Sequence, residues 1–235
     1  MIKIRNVTKK YGEKKALDNV SFEVEDGEIF AFIGHNGAGK TTLIKSICGI
    51  IDFDSGSIMI NGKSIKDDPL ECKQEMAYVS DDPELYEDMK AIGFINFVCD
   101  MYGVPKEMRE RNIEKYAKMF GMEEELDNQI KSFSHGMKQK VALIAALAHE
   151  PKVLIMDEPF VGLDPKAIFD MKEVMRGIAK SGRTIFFSTH ILDVAEKLCD
   201  RVAIVKKGRI VKVGDMKEVR GDKSLEKVFL ELEAK

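Results

Sequence analysis

Apolar and polar positions along the first third of the chain follow the pattern of short strands joined by turns. Apolar segments at residues 20–24 and 28–33 are separated by Asp26-Gly27. Further on, the dipeptide Asn61-Gly62 separates two similar segments and is typical of a type I′ hairpin turn. This part of the chain therefore predicts an N-terminal antiparallel β subdomain.

The period of the pattern changes to that of a helix after residue 87. Apolar residues spaced i, i+3, i+4 and i+7 occur twice before residue 131, at Ala91, Phe94, Ile95 and Val98 and at Ile113, Tyr116, Ala117 and Phe120. A third apolar helical stripe follows near the C-terminus, at Leu225, Val228, Phe229 and Leu232. We expect an inserted α-helical subdomain, and a C-terminal helix that packs on the rest of the domain.

A strand-helix-strand unit follows the predicted helical subdomain. Residues 153–156 and 184–187 are continuously apolar, as in parallel strands that are buried on both faces. Between them, Asp164 is suited to cap a helix, Pro165 to its first turn and Gly182 to its end. The predicted fold class is thus α/β, with a mainly parallel sheet in its core.

Composition narrows the range of partners. The 235 residues include 37 basic and 40 acidic side chains, a formal charge of −3, so we expect no nucleic acid partner. The four cysteines are far apart and predict neither a zinc site nor a redox site. The longest apolar run, residues 141–148, is too short to span a membrane, and we expect a protein that is soluble by itself in the cytoplasm.

A glycine-rich loop follows the strand predicted at residues 28–33 and precedes a helical pattern. It comprises Gly34, His35, Asn36, Gly37, Ala38, Gly39, Lys40, Thr41 and Thr42. This spacing and context predict a phosphate-binding loop (P-loop), in which backbone N–H groups and a helix N-terminus hold phosphate groups. Lys40 is then suited to the β- and γ-phosphates and Thr41 to Mg²⁺, whereas the His35 side chain is expected to point away. The alternative is a tight turn without a ligand.

Two carboxylates follow the apolar segment at residues 153–156. Because the carboxyl ends of parallel strands face the ligand site in α/β sheets, we expect Asp157 to organise the magnesium shell. Glu158 would lie where it can act as a base towards a water that attacks the γ-phosphate. The alternative interpretation is two ordinary acidic residues at the end of a strand.

The segment Ser134-His135-Gly136-Met137, with Lys138-Gln139 after it, completes a resemblance to the nucleotide-binding subunits of ATP-binding cassette (ABC) transporters. It resembles their signature motif, usually Leu-Ser-Gly-Gly-Gln, which contacts the γ-phosphate bound by a second subunit. From the residues alone, Ser134 could also be no more than a helix cap.

The resemblance implies further roles. Tyr11 is similar to the aromatic residue on which adenine stacks, Asp164 lies in a segment similar to the loop that crosses the dimer interface, and His190 resembles the histidine that contacts the γ-phosphate. By itself, Tyr11 could equally be a packing residue, and His190 a structural histidine. Asp81 stands where the family usually has a glutamine near the metal, and His135 stands where it usually has a glycine.

The predicted protein is an ATP-hydrolysing subunit with ATP and Mg²⁺ as ligands. We expect one domain over residues 1–235, with a core at about 1–86 and 153–235 and a helical subdomain at about 87–152. The resemblance implies a head-to-tail homodimer or heterodimer on the cytoplasmic face of the membrane, and a separate transmembrane partner that it drives, with export favoured. Alternatives are an importer subunit, a soluble ABC-type ATPase on a ribosome or DNA partner, and an unrelated P-loop GTPase or kinase.

Overall fold

The fold is known from a computed structural model that describes residues 1–234, so Lys235, the last residue of the predicted domain, lies outside the described residues. The strands are β1 (Ile2–Tyr11), β2 (Lys14–Val24), β3 (Ile29–Ile33), β4 (Ser55–Ile60), β5 (Lys63–Ser64), β6 (Met76–Val79), β7 (Val153–Met156), β8 (Thr184–Thr189), β9 (Arg201–Lys206) and β10 (Arg209–Asp215). The α-helices are α1 (Lys40–Ile47), α2 (Pro69–Glu75), α3 (Ala91–Met101), α4 (Lys106–Phe120), α5 (His135–Ala148), α6 (Pro165–Lys180), α7 (Leu192–Leu198), α8 (Met216–Arg220) and α9 (Leu225–Glu233). Two short 3₁₀ helices lie at Glu123–Glu125 and Ile130–Ser132.

Within residues 1–234 the strands form two sheets. One is antiparallel, with the order β2-β1-β4-β5. The other has the order β10-β9-β3-β8-β7-β6 and is parallel except for β10. The predicted fold class is confirmed, with an antiparallel β subdomain beside a mainly parallel sheet.

Strand β3 joins the two main hydrophobic clusters because both of its faces are buried. Its Phe30 and Phe32 rings pack with Phe22 of β2 and Phe186 of β8 at centroid distances of 5.1–6.1 Å. On the other face, β3 side chains belong to the cluster formed with the helices between β6 and β7. The continuous apolar run therefore holds both layers of the fold together.

Most of the local predictions agree with the structure. Asn61 and Gly62 have φ angles of 49° and 84°, as a type I′ turn requires. Asp164 caps α6 by accepting a hydrogen bond from Ala167 N at 2.9 Å, and Gly182 follows the helix end with φ 85°. The C-terminal helix α9 buries three residues of its predicted stripe, Leu225, Val228 and Phe229.

Some boundaries differ from the predictions. Strand β8 extends to Thr189, two residues beyond the predicted end, and Glu28 lies outside β3. Strand β6 was not predicted, because it follows directly on α2 and no turn residue marks its start. Among residues 1–234, none of the helices combines the length and the apolar character needed to cross a membrane.

Candidate functional site

The order of the parallel strands brings the candidate residues to one edge of the sheet. Strands β3, β8, β7 and β6 are neighbours and run in the same direction. The P-loop follows β3, His190 follows β8, Asp157 and Glu158 follow β7, and Asp81 lies two residues after β6. Since carboxyl ends of parallel strands lie at the same edge, these segments converge there.

A cleft of about 610 Å³ opens at this edge. Nine of the predicted site residues line it: Tyr11, Asn36, Gly37, Gly39, Lys40, Thr41, Thr42, Asp81 and Glu158. Lys14 and Ala16, at the start of β2, line it as well and were not predicted. Gly34 and Ala38 are on the buried side of the loop. The cleft therefore lies between the P-loop and the tip of the antiparallel sheet.

The backbone at Gly39 leaves no room for a side chain. Its φ is 108°, and a Cβ there would lie 2.4 Å from the carbonyl oxygen of Ala16. Helix α1 begins at the next residue, so its first N–H groups, which lack partners within the helix, face the cleft. This arrangement of N–H groups favours anions such as phosphate.

The Lys40 ammonium group is buried at the base of the cleft, with the residue only 6% exposed. It donates to Gly34 O at 2.8 Å and His35 O at 3.3 Å, and its Nζ lies 3.1 Å from Glu158 Oε1. Within residues 1–234 this buried cation has one carboxylate partner, whose place an anionic ligand in the cleft could take.

Contacts from the end of β8 hold the Glu158 side chain and backbone. Oε2 accepts a hydrogen bond from the backbone N–H of His190 at 3.2 Å, and His190 Nδ1 lies 3.0 Å from the same oxygen. The N–H of Glu158 donates to Ser188 Oγ at 3.0 Å, while its φ of 46° is unusual for a residue with a side chain. The surrounding contacts hold this unfavourable backbone conformation in place, a feature common at functional sites.

Asp157 is 1% exposed, and its carboxylate is the most deeply buried acidic group of the site. Oδ1 accepts a hydrogen bond from the Ser188 hydroxyl, whereas Oδ2 is buried without a hydrogen-bond partner among residues 1–234. Burial raises the pKa of Asp157, and the hydroxyl groups of Ser188 and Thr41 oppose that rise. A cation at Oδ2 would remove the cost of burying this charge.

The side chains near Asp157 offer oxygen atoms as ligands. No group of three or more His, Cys, Asp or Glu side chains within residues 1–234 is placed to hold a metal ion. Thr41 and Asp81 both line the cleft. A hydroxyl and two carboxylates agree with the preference of Mg²⁺ for few protein oxygens, supplemented by phosphate oxygens and water.

The His35 side chain faces the C-terminal helix and is not among the residues that line the cleft. Its ring packs edge-on against Phe229 of α9 at 4.8 Å, and Nε2 lies 3.6 Å from Glu233 Oε2. The expectation that His35 points away from the phosphate position therefore agrees with the structure. Any contribution of His35 to ligand binding must come from its backbone.

Ser134, Gly136 and Asp164 do not line the cleft either. Ser134 caps α5 by accepting from Met137 N at 3.3 Å, Asp164 caps α6, and Gly136 lies close enough to Leu163 that a Cβ would be 3.4 Å from its Cδ2. The signature-like turn thus contacts the loop after β7 of its own chain. A single chain does not bring it to its own P-loop cleft.

Ser188 was missed by the sequence analysis, although it contacts both acidic residues. Its hydroxyl donates to Asp157 and accepts from the N–H of Glu158. Its position two residues before His190, at the end of a predicted buried strand, was the only available signal. The partners lie 30 and 31 residues away in the chain, so no local pattern reveals the contact.

Comparison with known proteins agrees with this geometry. The family described as ABC transporter matches residues 17–161. The chain is 38% identical to the ABC-type transporter ATP-binding protein EcsA of Bacillus subtilis (strain 168), with 99% of this chain and 96% of EcsA covered. It is 34% identical to the lantibiotic transport ATP-binding protein SrtF of Streptococcus pyogenes, with 97% and 96% covered.

Solved structures show the same fold. A structure of an ATP binding subunit of an ABC transporter superposes with a TM-score of 0.94 at 35% identity, and 99% of both chains are covered. The dimeric structure of MJ0796, a bacterial ABC transporter cassette, gives a TM-score of 0.84 at 25% identity, with 92% of this chain and 99% of that chain covered. The similarity therefore includes both sheets and the helices between them.

Proposed function

This chain belongs to the ABC transporter ATP-binding proteins, and on that premise we propose which residues carry out its reaction and which way the transporter works. It is an ATPase subunit that energises a separate membrane-spanning subunit. The observation that carries the proposed mechanism is the meeting of Lys40, Glu158 and His190 at one edge of the sheet. A buried cation beside an oriented carboxylate is suited to hydrolysis of a phosphoanhydride.

Glu158 is the base in this proposal. It accepts a proton from the water that attacks the γ-phosphorus, and ADP leaves. His190 orients the carboxylate through its contacts with Oε2, at 3.2 Å from N and 3.0 Å from Nδ1. Phosphate oxygens compete with Glu158 Oε1 for the Lys40 ammonium, so ATP binding releases that oxygen towards the water.

The remaining residues of the cleft bind the nucleotide. The P-loop N–H groups hold the phosphates, and Tyr11, which is 54% exposed at the rim, stacks on adenine. Thr41, Asp157 and Asp81 would hold Mg²⁺, which supplies positive charge to the β- and γ-phosphate oxygens. The buried Oδ2 of Asp157 is the observation that supports this assignment.

The complete site requires two chains arranged head to tail. Ser134, Gly136 and Asp164 do not line the cleft of their own chain, and each lies at or near a helix N-terminus. In a head-to-tail dimer they would face the γ-phosphate and the interface of the other chain, where a serine hydroxyl and helix N–H groups suit an anion. The dimeric structure of MJ0796 supports the association of two such chains.

We assign the transporter to export, with this subunit on the cytoplasmic face of the membrane. The full-length similarity to a lantibiotic transport protein supports this assignment. The test compares cells that carry the parent chain with cells that carry Lys40→Ala, measured as growth inhibition by a panel of lantibiotics. Export of a lantibiotic predicts loss of resistance in the variant, whereas unchanged or increased resistance would contradict lantibiotic export.

The same cells are used to test whether the chain binds a membrane-spanning partner. Solubilised membranes with the tagged parent chain should yield a membrane-spanning protein that copurifies with it. Recovery of ribosomal proteins or DNA in place of a membrane protein would contradict a transport role.

A further inference from the structure

The turn between β9 and β10 connects the P-loop to the antiparallel sheet through a single residue. The N–H of Gly208 donates to the carbonyl oxygen of Ala38 in the P-loop at 3.0 Å. The carbonyl oxygen of Gly208 accepts from the N–H of Asp18 in β2 at 2.8 Å. Through its own N–H and C=O groups, Gly208 therefore connects two parts of the molecule that are 20 residues apart in sequence.

Ala16 lies between this turn and the P-loop with no spare space. A Cβ on Gly208 would be 2.6 Å from the carbonyl oxygen of Ala16, and φ of Gly208 is 77°. The same oxygen approaches Gly39 on its other side. A shift of β2 relative to the P-loop would consequently disturb contacts at both glycines.

Side chains reinforce the backbone connection. The Arg209 guanidinium contacts Asp18 Oδ2 through Nε at 2.6 Å and Nη2 at 2.5 Å, and Lys15 Nζ donates to Asp18 Oδ1 at 2.7 Å. The hydrogen bonds from Lys15 and Arg209 lower the pKa of Asp18, so this carboxyl is ionised at neutral pH. Two nitrogens of the Arg209 guanidinium thus contact one oxygen of Asp18 and connect the β9–β10 turn to β2.

The start of β2 carries the adenine side of the cleft. Lys14 pairs with Tyr11 across the β1–β2 hairpin, and Tyr11, Lys14 and Ala16 all line the cleft. Asp18 lies only two residues beyond Ala16 in the same strand. A group that fixes Asp18 relative to the P-loop thus also fixes the Tyr11 ring relative to the phosphate position.

We propose that Asp18, Gly208 and Arg209 form a clamp that sets the distance between the adenine-binding rim and the P-loop. Arg209 and Asp18 are positioning residues, since they act through β2 and Tyr11. The inference rests on the proposed binding of adenine at Tyr11 and of phosphates at the P-loop. Its distinctive consequence is that the clamp affects ligands that contact both sides of the cleft and leaves a ligand of the P-loop alone unaffected.

The experiment measures ATP hydrolysis by the full chain and its competitive inhibition by inorganic triphosphate, which has no base. For Arg209→Gln we expect KM for MgATP to rise about two- to fivefold, the effect of losing one exposed ion pair. The inhibition constant of triphosphate and kcat should stay at the parental values. Arg209→Lys, which keeps the charge, should restore part of the affinity for ATP.

Two further variants make the test specific. Arg5→Gln removes an exposed arginine that pairs with Glu23 of the same sheet, 3.4 Å away, and should leave all constants unchanged. Asp18→Asn should raise KM for MgATP as Arg209→Gln does, and the double variant should add little, because one interaction is removed in each case. If Arg209→Gln fails to fold, Asp18→Asn replaces it as the variant that tests the clamp.

Three outcomes would overturn the clamp. Equal increases in KM for MgATP and in the triphosphate inhibition constant would show that the P-loop itself is distorted. If KM for MgATP and the triphosphate inhibition constant stayed at the parental values in both Arg209→Gln and Asp18→Asn, the two residues would form only a surface ion pair. Additive effects in the double variant would mean that the two residues act separately. Failure of the proposed function is distinguishable, because the parent chain would then show no saturable MgATP hydrolysis.

Discussion

At the scale of single residues, Glu158 connects the cation, the histidine and the sheet edge. One carboxylate oxygen lies 3.1 Å from Lys40 Nζ and the other contacts His190. The adjacent Asp157 is buried, and its raised pKa reflects the cost of desolvating a carboxylate. Asp157 and Glu158 thus occupy different environments. The environment of Asp157 suits a metal ion, and that of Glu158 suits proton transfer.

We expect Glu158→Gln to lower turnover by about 10²–10⁴-fold with ATP binding retained, because the amide cannot accept the proton. Phosphate release at saturating MgATP measures turnover, and the increase of the melting temperature by MgATP measures binding. Glu173→Gln is the matched control, since Glu173 is an exposed acid of α6. Near-parental turnover in Glu158→Gln would remove Glu158 from the role of base.

Tyr11→Ala should weaken ATP binding by about 1–3 kcal/mol through loss of base stacking, with kcat preserved. Equilibrium binding of MgATP measures the loss. Tyr86→Ala, at another exposed tyrosine, is the control, as Tyr86 does not line the cleft. Equal affinities of Tyr11→Ala and the parent chain would make Tyr11 an ordinary surface residue.

At the scale of elements, the end of α5 depends on an uncharged histidine. His149 follows the last residue of the helix, its ring stacks on Tyr102 at 3.8 Å, and Nε2 lies 3.4 Å from Met76 O. Burial lowers the pKa of His149 to about 4. Burial therefore favours the neutral form of the histidine that joins α5, α3 and β6.

This environment predicts a loss of stability in mild acid. Between the folded pKa of about 4 and an unfolded pKa of about 6.5, the unfolded state binds more protons, so stability is full above that range and falls as pH decreases through it. From pH 7.5 to pH 5, the parent chain should lose about 2 kcal/mol more unfolding free energy than His149→Phe.

Urea denaturation at the two pH values measures this difference. Phenylalanine retains an aromatic ring for the stack on Tyr102 but has no titrating group. Equal losses in the two chains would show that His149 is protonated in the folded state at little cost.

At the scale of the whole molecule, the P-loop cleft and the signature-like turn are separate. The cleft is built at the edge of the parallel sheet, whereas Ser134 begins a helix that packs on the loop after β7. One closed site would then combine Lys40 and Glu158 of one chain with Ser134 of another. Because the two halves of the site would come from different chains, we expect certain mixtures of inactive chains to be active.

Mixing Lys40→Ala with Ser134→Ala chains should restore activity above the sum of the separate variants, since one composite site of the mixed dimer is intact. Phosphate release is followed against total protein concentration, and the rate should rise faster than linearly at low concentration. Mixing Lys40→Ala with Glu158→Gln is the control and should give no rescue, because each cleft then carries a lesion. No rescue in confirmed mixed dimers, with a near-parental rate for Ser134→Ala alone, would leave Ser134 as a helix cap only.

Sequence by itself determined the features that depend on residues close together in the chain. The P-loop, the caps of α6, the Asn61-Gly62 turn and the apolar strands could be predicted because each results from local backbone preferences and periodicity. Asp157 and Glu158 could be placed at the carboxyl edge of the parallel sheet because strand direction decides which end faces the ligand.

Only the tertiary structure decided the contacts between segments that are far apart. Ser188 joins two acidic residues 30 and 31 residues away, Arg209 contacts Asp18 across 191 residues, and the His35 side chain packs on α9. Such contacts depend on strand order and on the packing of one sheet against another, and a short stretch of sequence carries no periodic signal for either. The chemistry of the site is thus local in sequence, while its distances are set by long-range packing.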